Sequence, residues 1–582
     1  MLDPYKMIVV NIATSIILII GLLFYKFVFP KRKFDLFFLL LLISILPIIS
    51  IFRNGDYESG DFNIHIYRTM AFYDSLKEGN IMPSWAKDLN ATYGYPLFIF
   101  NYPLPYYVIS FFHFIGFSFI ASTKIFIALN FVLSGIFMYL YSREIFKNNL
   151  AAFTSAIFYI FAPYHLIDVH FKVAIGEIAV FTLLPLVFLS IHKLNTKRSL
   201  IYILWSGLWL SLIIMSNALI AFFATGIILA YIIFFTLKKI DYVYFLYGLS
   251  AFFVAGIISL YVLLAPFIFN SFLYIQRMPL VIGYSPNLSE LFYSPWRMGF
   301  LFQGPNGQIP FLIGYTQLFI FIITLILLLL KKMPKKHLSQ QKFWLIISLV
   351  IIFLITPYSK FLWEHFSFVK AAGSHRLLLI LSFSVSILAG YLTVNFLKKK
   401  FLITLIILIT IGYTILNWGH RKLIPEITDS VLKQNLWKST SEGEGHYYAN
   451  SKWIDTKHPW FSKLPRNNIE IIKGDGEITT LKRTSTNHTY IIYAKTPLDI
   501  AENTLYFPGW QAKSNGKIIS LHPNGSGVIN LNVPKGNQIL ELTYNDIKIY
   551  KISKIVSATA LFILFVYILF LSTKKLFLFK RY

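Results

Sequence analysis

The sequence predicts a polytopic α-helical membrane protein of about 13 spans, with an antiparallel β domain near its C-terminus on the outer face. Three observations predict it. Hydrophobic residues make up 56% of the 582 and aromatics 18%, which does not suit a soluble globule. Thirteen apolar runs long enough to cross about 30 Å of hydrocarbon follow one another, separated by short basic clusters. From about Asn417 the pattern changes to mixed polar sequence with alternating apolar and polar residues and Asn-Gly pairs.

The runs lie near 8–29, 34–52, 123–142, 150–166, 173–191, 199–215, 217–237, 243–269, 311–330, 342–357, 376–397, 401–417 and 553–573. Clusters at Lys31-Arg32-Lys33, Arg143/Lys147, Lys193/Lys197/Arg198, Lys238-Lys239, Lys331-Lys332/Lys335-Lys336, Lys398 to Lys400 and Lys574-Lys575/Lys580-Arg581 punctuate them. With every cluster cytoplasmic, the spans alternate from an outside N-terminus to an inside C-terminus. The net charge of +27 then reports topology rather than nucleic-acid binding. A further apolar run, 102–120, would invert all later loops if it crossed, so it is expected to be re-entrant or interfacial, its Pro103, Pro105 and Gly116 breaks tolerable where protein buries the backbone. The first run lacks a basic leader and a small-residue cleavage site, and is expected to be retained.

The expected divisions are N-terminal spans (1–52), a first outer loop with amphipathic and re-entrant helices (53–122), a transmembrane helical core (123–417), an outer β-sandwich-like domain (418–552), and a final span with a basic cytoplasmic tail (553–582). Asn515-Gly516 and Asn524-Gly525 mark hairpin turns in the β domain. Tyr506 to Trp510, Y-F-P-G-W, reads either as a core corner or as a sugar platform, with the core reading preferred.

The chemistry-bearing residues concentrate in the first outer loop. Asp56, Glu58 and Asp61 fall within six residues at the end of an apolar segment. A helix is predicted from Phe62 to about Glu78, with Ser59 or Asp61 as N-cap and Gly79 past its last turn. Spacings of four and seven then place Asp61, His65 and Arg68 along one face, so a carboxylate, an imidazole and a guanidinium are expected together at the membrane surface. The segment Gly79 to Tyr107 carries Trp85, Tyr93, Tyr95, Phe98, Phe100 and Tyr102 among four prolines, a rigid aromatic loop suited to lipid headgroups or a sugar. Asp61 reads as a catalytic carboxylate or as a cap on a solvated interfacial helix. Two further residues stand out. Glu177 sits inside an apolar run, where a carboxylate costs several kcal/mol unless it is paired or faces a wet cavity; pairing with Lys172 is the structural alternative. Arg376, after His375, opens a span from its outer end and reads as a phosphate clamp or as a headgroup anchor; Arg297 is a weaker candidate for the same task, on an outer loop, 270–310, that also carries Arg277 and Glu290.

The run S-G-D-F-N-I-H-I-Y-R from Ser59, followed by G-N-I-M-P-S-W from Gly79 and G-Y-P-L-F-I-F-N-Y-P-L-P-Y from Gly94, resembles the first outer loop of the GT-C superfamily of integral-membrane glycosyltransferases. The match is closer to the bacterial YfhO-like group, which includes membrane proteins labelled "6-pyruvoyl-tetrahydropterin synthase-related". The resemblance extends through A-P-Y-H-L-I-D-V-H-F-K-V-A-I-G-E, Ala162 to Glu177, to S-H-R at Ser374 and to F-P-G-W-Q-A-K-S-N-G-K from Phe507. Near Lys172-Val173 the related proteins carry arginine and glycine. The resemblance implies inverting transfer of a hexose from a polyprenyl-phosphate donor to an outer-face acceptor, in the cell membrane, with the active site on the extracytoplasmic face. It implies Asp61 as base and Glu177 as a partner of donor or acceptor hydroxyls. Arg376, Arg68, His65 and Lys172 would then neutralise the departing phosphate, with Glu58 and Trp85 binding substrate. The expected partners are a polyprenyl-linked sugar, an acceptor and membrane lipids, with no nucleic acid. Asp56, Glu58 and Asp61 leave a divalent metal open as cofactor.

With zero cysteines the chain has no disulfide framework and no thiolate chemistry. No Walker A loop, dinucleotide fingerprint, H-E-x-x-H or nucleophile elbow occurs, which speaks against a soluble nucleotide-sugar enzyme. A lipid or glycan transporter, or flippase, remains an alternative, although no repeated halves with broken helices are visible. A non-catalytic scaffold presenting the β domain is the other.

Overall fold

The structure, a computed structural model, describes residues 4–579 except 274–284, 335–336, 366–372, 397, 420–421, 439–450 and 455–463. Arg277, Lys335-Lys336 and Lys580-Arg581 lie outside the described residues. The chain falls into two compact units that interleave along the sequence. One comprises Met1–Phe62, Thr123–Gly256 and Leu280–Ile427; the other comprises Asn63–Ser122, Ile257–Pro279 and Thr428–Tyr582.

Every one of the thirteen apolar runs is helical, but the expected thirteen spans reduce on length. Eight helices among the described residues are long and apolar enough to cross a membrane, or up to ten if the bent pairs Asn149–Ile160 with Pro163–Lys172 and Tyr242–Ile258 with Leu260–Phe272 each count once. Leu36–Phe52, Leu200–Ile214 and Tyr315–Leu329 are shorter. Polar or proline punctuation shortens them: Pro47 turns the end of the first into a 3-10 segment, Leu46–Phe52, Asn217 caps the helix after the second, and the third starts only after Gly314 at φ 105°. A 15-residue helix reaches about 22 Å. The run 102–120 holds a helix of 11 residues, Leu104–Phe114, about 16 Å long and too short to cross.

In the first unit the helices Ile175–Lys197 and Ser374–Asn395 are 89% and 94% buried over their apolar windows, which makes them the bundle's centre. Phe383 lies against Phe188 at 4.9 Å and Tyr141 at 5.6 Å between ring centroids. Gly390 is required there, because a Cβ would collide with Phe146 and Ser155. Two short strands, β1 (Asp56–Tyr57) and β2 (Leu423–Ile424), pair antiparallel in the same unit, Asp56 opposite Ile424.

The second unit contains the C-terminal β domain. Its strands are β3 (Ile469–Lys473), β4 (Gly476–Arg483), β5 (Asn487–Ala494), β6 (Leu498–Leu505), β7 (Trp510–Ser514), β8 (Lys517–Ile519), β9 (His522–Pro523), β10 (Val528–Val533) and β11 (Gly536–Tyr544). They form a four-stranded sheet, β3-β6-β10-β9, and a five-stranded sheet, β4-β5-β11-β7-β8, with antiparallel pairing throughout. Strands β5 and β7 alternate buried and exposed residues, whereas β6 is buried on both faces. Asn515 at φ 46° and Gly516 at φ 77° make the expected tight turn between β7 and β8. The turn after β9 is longer than its Asn-Gly pair suggests: the Asn524 side chain accepts from Ser526 N and Val528 N, and Gly527, not Gly525, takes the positive φ. Phe507 and Trp510 are buried, so Y-F-P-G-W is a core corner.

Candidate functional site: a buried ion cluster in a broken helix

Ala162-Pro163 interrupts the helix begun at Asn149, because proline contributes no N–H and favours the first turn of a new helix. The chain bends by 47° and restarts as Pro163–Ile167. A π turn, Asp168–Lys172, follows and ends on Val173 at φ 57°, ψ 51°. A β-branched residue in the left-handed region is strained. Helix Ile175–Lys197 starts at once, with Glu177 in its first turn, where the helix dipole favours a carboxylate. Arg376 comes from the 3-10 turn Ser374–Leu377, at the head of Leu378–Asn395.

These elements converge on one carboxylate. Arg376 Nη1 pairs with Glu177 Oε1 in a short charge-assisted contact. Lys172 Nζ lies 3.2 Å from the same oxygen, and the Tyr164 hydroxyl donates to Oε2 at 2.6 Å. Lys172 Nζ also donates to the Tyr164 hydroxyl at 3.0 Å and lies 2.9 Å from Asp168 Oδ1. Two carboxylates and two cations balance formally, which is what an ionic cluster inside a membrane helix bundle requires. Their accessibility is unequal. The Glu177 and Asp168 side chains are 1% and 0% exposed, whereas Lys172 and Arg376 are 14% and 34% exposed. The cluster therefore buries both carboxylates and most of Lys172, and leaves Arg376 as its accessible cation, which suits contact with an anion.

Asp61 joins this unit through its backbone. Gly60 N donates to Phe171 O at 2.7 Å and Asp61 N to Lys172 O at 2.8 Å, so both residues lie along the π turn. Gly60 fits because a Cβ would approach Lys172 O to 3.1 Å. The Tyr57 hydroxyl donates to Val169 O at 3.1 Å, and Glu58 N donates to Lys422 O at 2.8 Å. Ser59 supplies the cap of the expected helix, Phe62–Lys77, its Oγ accepting from Phe62 N at 3.3 Å; Asp61 is half-buried. Asp56, Glu58 and Asp61 do not form a ligand set, since no group of three or more His, Asp or Glu side chains among the described residues is placed to hold a metal. The reason is local: Asp56 is buried on β1 with its Oδ1 accepting from Tyr57 N, whereas Glu58 is exposed. Arg297 lies exposed on the turn Arg297–Gly299.

The remaining expected residues belong to the second unit. His65 is buried, its Nδ1 3.2 Å from the Tyr106 hydroxyl, which also accepts from Asn101 Nδ2 at 3.1 Å. Arg68 is buried on the same helix. Trp85, expected to bind substrate, is instead a packing residue. It is 1% exposed, edge-on to Trp510 at 5.4 Å and 5.5 Å from Tyr544, so its faces are covered by protein. Sequence reasoning passed over Tyr164 and Asp168. The available signal was Asp168 four residues before Lys172 in an otherwise apolar stretch broken by proline.

No family model matches the sequence. A protein of Lactococcus lactis subsp. cremoris described only as uncharacterized is 25% identical over 215 residues, 36% of this chain and 35% of that protein. Among solved structures, the chain is similar to the oligosaccharyltransferase of Archaeoglobus fulgidus (TM-score 0.44, 14% identity, 69% of this chain and 57% of that one). It is similar also to the arabinofuranosyltransferase AftD from Mycobacteria (0.42, 13%, 66% and 27%). A third is ArnT from Cupriavidus metallidurans bound to undecaprenyl phosphate (0.38, 12%, 60% and 59%). The chain thus spans about a third of the Lactococcus protein and less than two thirds of each of these solved chains.

Proposed function

We propose that this chain is a membrane glycosyltransferase of the GT-C type, nearest in motif to the YfhO-like group, that moves a hexose with inversion from a polyprenyl phosphate to an acceptor at the extracytoplasmic face of the cell membrane. The observation that carries the reading is the ion cluster itself: Arg376, a third of whose side chain is accessible, is paired with the fully buried Glu177 beside Lys172. In this reading Asp61 takes the acceptor hydroxyl's proton as its oxygen attacks the anomeric carbon. The bond from that carbon to the phosphate oxygen breaks, and the leaving polyprenyl phosphate keeps the electron pair. Arg376 and Lys172 stabilise the charge that develops on it. Glu177 holds the two cations rather than touching a sugar, and His65, Arg68 and Glu58 are assigned no chemical step.

The test is turnover of a polyprenyl-phosphate hexose by the purified, reconstituted protein. Asp61→Asn preserves shape but cannot accept a proton, so transfer should drop more than about a hundredfold with thermal unfolding unchanged. Near-wild-type turnover of that variant would sink the assignment of the base.

A further inference from the structure

At the opposite end of helix Ile175–Lys197 from Glu177, a cavity of about 440 Å³ opens between the ends of three helices. Lys193 is 16 residues beyond Glu177, about 24 Å along the axis, so this is a separate place in the fold. Arg143 and Lys147 enter from the end of helix Phe119–Phe146, Lys193 from Ile175–Lys197, and Asn149 from the start of Asn149–Ile160. Glu144 supplies the cavity's one carboxylate and is already engaged by Lys147 at 2.5 Å. Leu140 and Leu189, each one helical turn further into its membrane-crossing helix, complete the lining.

We propose that this cavity binds the phosphate headgroup of an anionic phospholipid. Three cations against one carboxylate leave a net positive rim, which selects a phosphate. The leucines lie on the hydrocarbon side of that rim, on helices long and apolar enough to cross a bilayer, so the phosphate's carrier is a lipid whose acyl chains run alongside them. Scattered basic residues anchoring singly at headgroups would leave a convex surface; here Arg143, Lys147 and Lys193 line one concavity.

The test uses the full-length protein purified in detergent, incubated with phosphatidylglycerol or phosphatidylcholine and read by native mass spectrometry. Retained phosphatidylglycerol should exceed phosphatidylcholine, and the double variant Arg143→Gln/Lys193→Gln should lose at least about tenfold of that retention, since each interfacial cation contributes to anionic-lipid attraction. Lys193 Nζ lies over the Tyr202 ring at 5.9 Å, so an unchanged thermal midpoint of the variant is required to show that the bundle is intact. Equal retention by wild type and variant, or equal retention of the two lipids, overturns the site. Displacement of the lipid by millimolar inorganic phosphate would assign the cavity to a free anion and overturn the lipid.

Discussion

Each unit of the protein buries a glutamate among several donors, and the two clusters differ in what their cations do. In the β domain, Glu502 is fully buried, and its Oε1 receives His488 Nδ1 at 2.9 Å and the Tyr490 hydroxyl at 2.8 Å, with Arg483 Nε at 3.7 Å. His488 Nε2 faces Thr484 O at 3.0 Å, so both ring nitrogens meet acceptors. Every partner there is closed in: His488 is 1% and Arg483 12% exposed. The node joins β5 of one sheet to β6 of the other and is a fastening. Around Glu177 the same economy of a buried carboxylate ends in Arg376, a third of which is accessible. Burial of a charge is common to both clusters, and accessibility of its counter-ion separates a candidate site from a fastening.

Removing Glu177 probes that difference most strongly. Glu177→Gln leaves Lys172 and Arg376 facing a single buried carboxylate, Asp168, and should destabilise the helical unit by about 3–5 kcal/mol while abolishing transfer, read by thermal unfolding in detergent and by turnover. Survival of full transfer would place the anion elsewhere. Trp85→Ala should cost a comparable 3–5 kcal/mol through the cavity left against Trp510 and Tyr544, yet leave donor-lipid affinity within about twofold, because both ring faces are occupied by protein. A large loss of donor affinity at unchanged stability would restore Trp85 as a ligand.

Arg376→Lys separates clamp from anchor. A headgroup anchor tolerates lysine, whereas a guanidinium that bridges Glu177 and a phosphate does not, so turnover should fall at least about tenfold with little change in unfolding temperature. Identical kinetics would reduce the cluster to a fastening like that of Glu502.

The smallest expected effect is the pH response of the β domain. Burial pushes the Glu502 carboxyl up, but its contacts with His488 and Arg483 outweigh it and hold the group below its ordinary 4.5. A carboxyl depressed in the folded state stabilises fully above its unfolded value and loses that contribution as pH falls through the folded one. Between pH 7 and 5 the unfolding midpoint of the domain should therefore owe nothing to this titration, and below about 4.5 it should drop, a drop that Glu502→Gln removes. Wild type and variant falling in parallel on acidification would exclude Glu502 as the sensing group.

The apolar runs, the β-domain turn at Asn515-Gly516 and the helix after Ser59 were all legible from the chain, because each depends on neighbours within a few residues: hydropathy over a window, a turn that needs positive φ, a hydroxyl that caps an N–H. Asp61, Lys172, Glu177 and Arg376 were marked as residues whose charge the membrane makes costly or conspicuous. What local pattern does not encode is which of them meet. Only the tertiary structure brings residue 376 onto residue 177, 199 positions away, adds Arg376 to the Lys172 pairing that the sequence offered for Glu177 as one of two readings, and draws Tyr164 and Asp168 into the same cluster. It also withdrew Trp85 into the aromatic core and buried Asp56 while leaving Glu58 exposed. The physical reason is the same in each case: a buried charge or ring is stable only against partners that satisfy it, and those partners are set by how helices pack rather than by what precedes them in sequence.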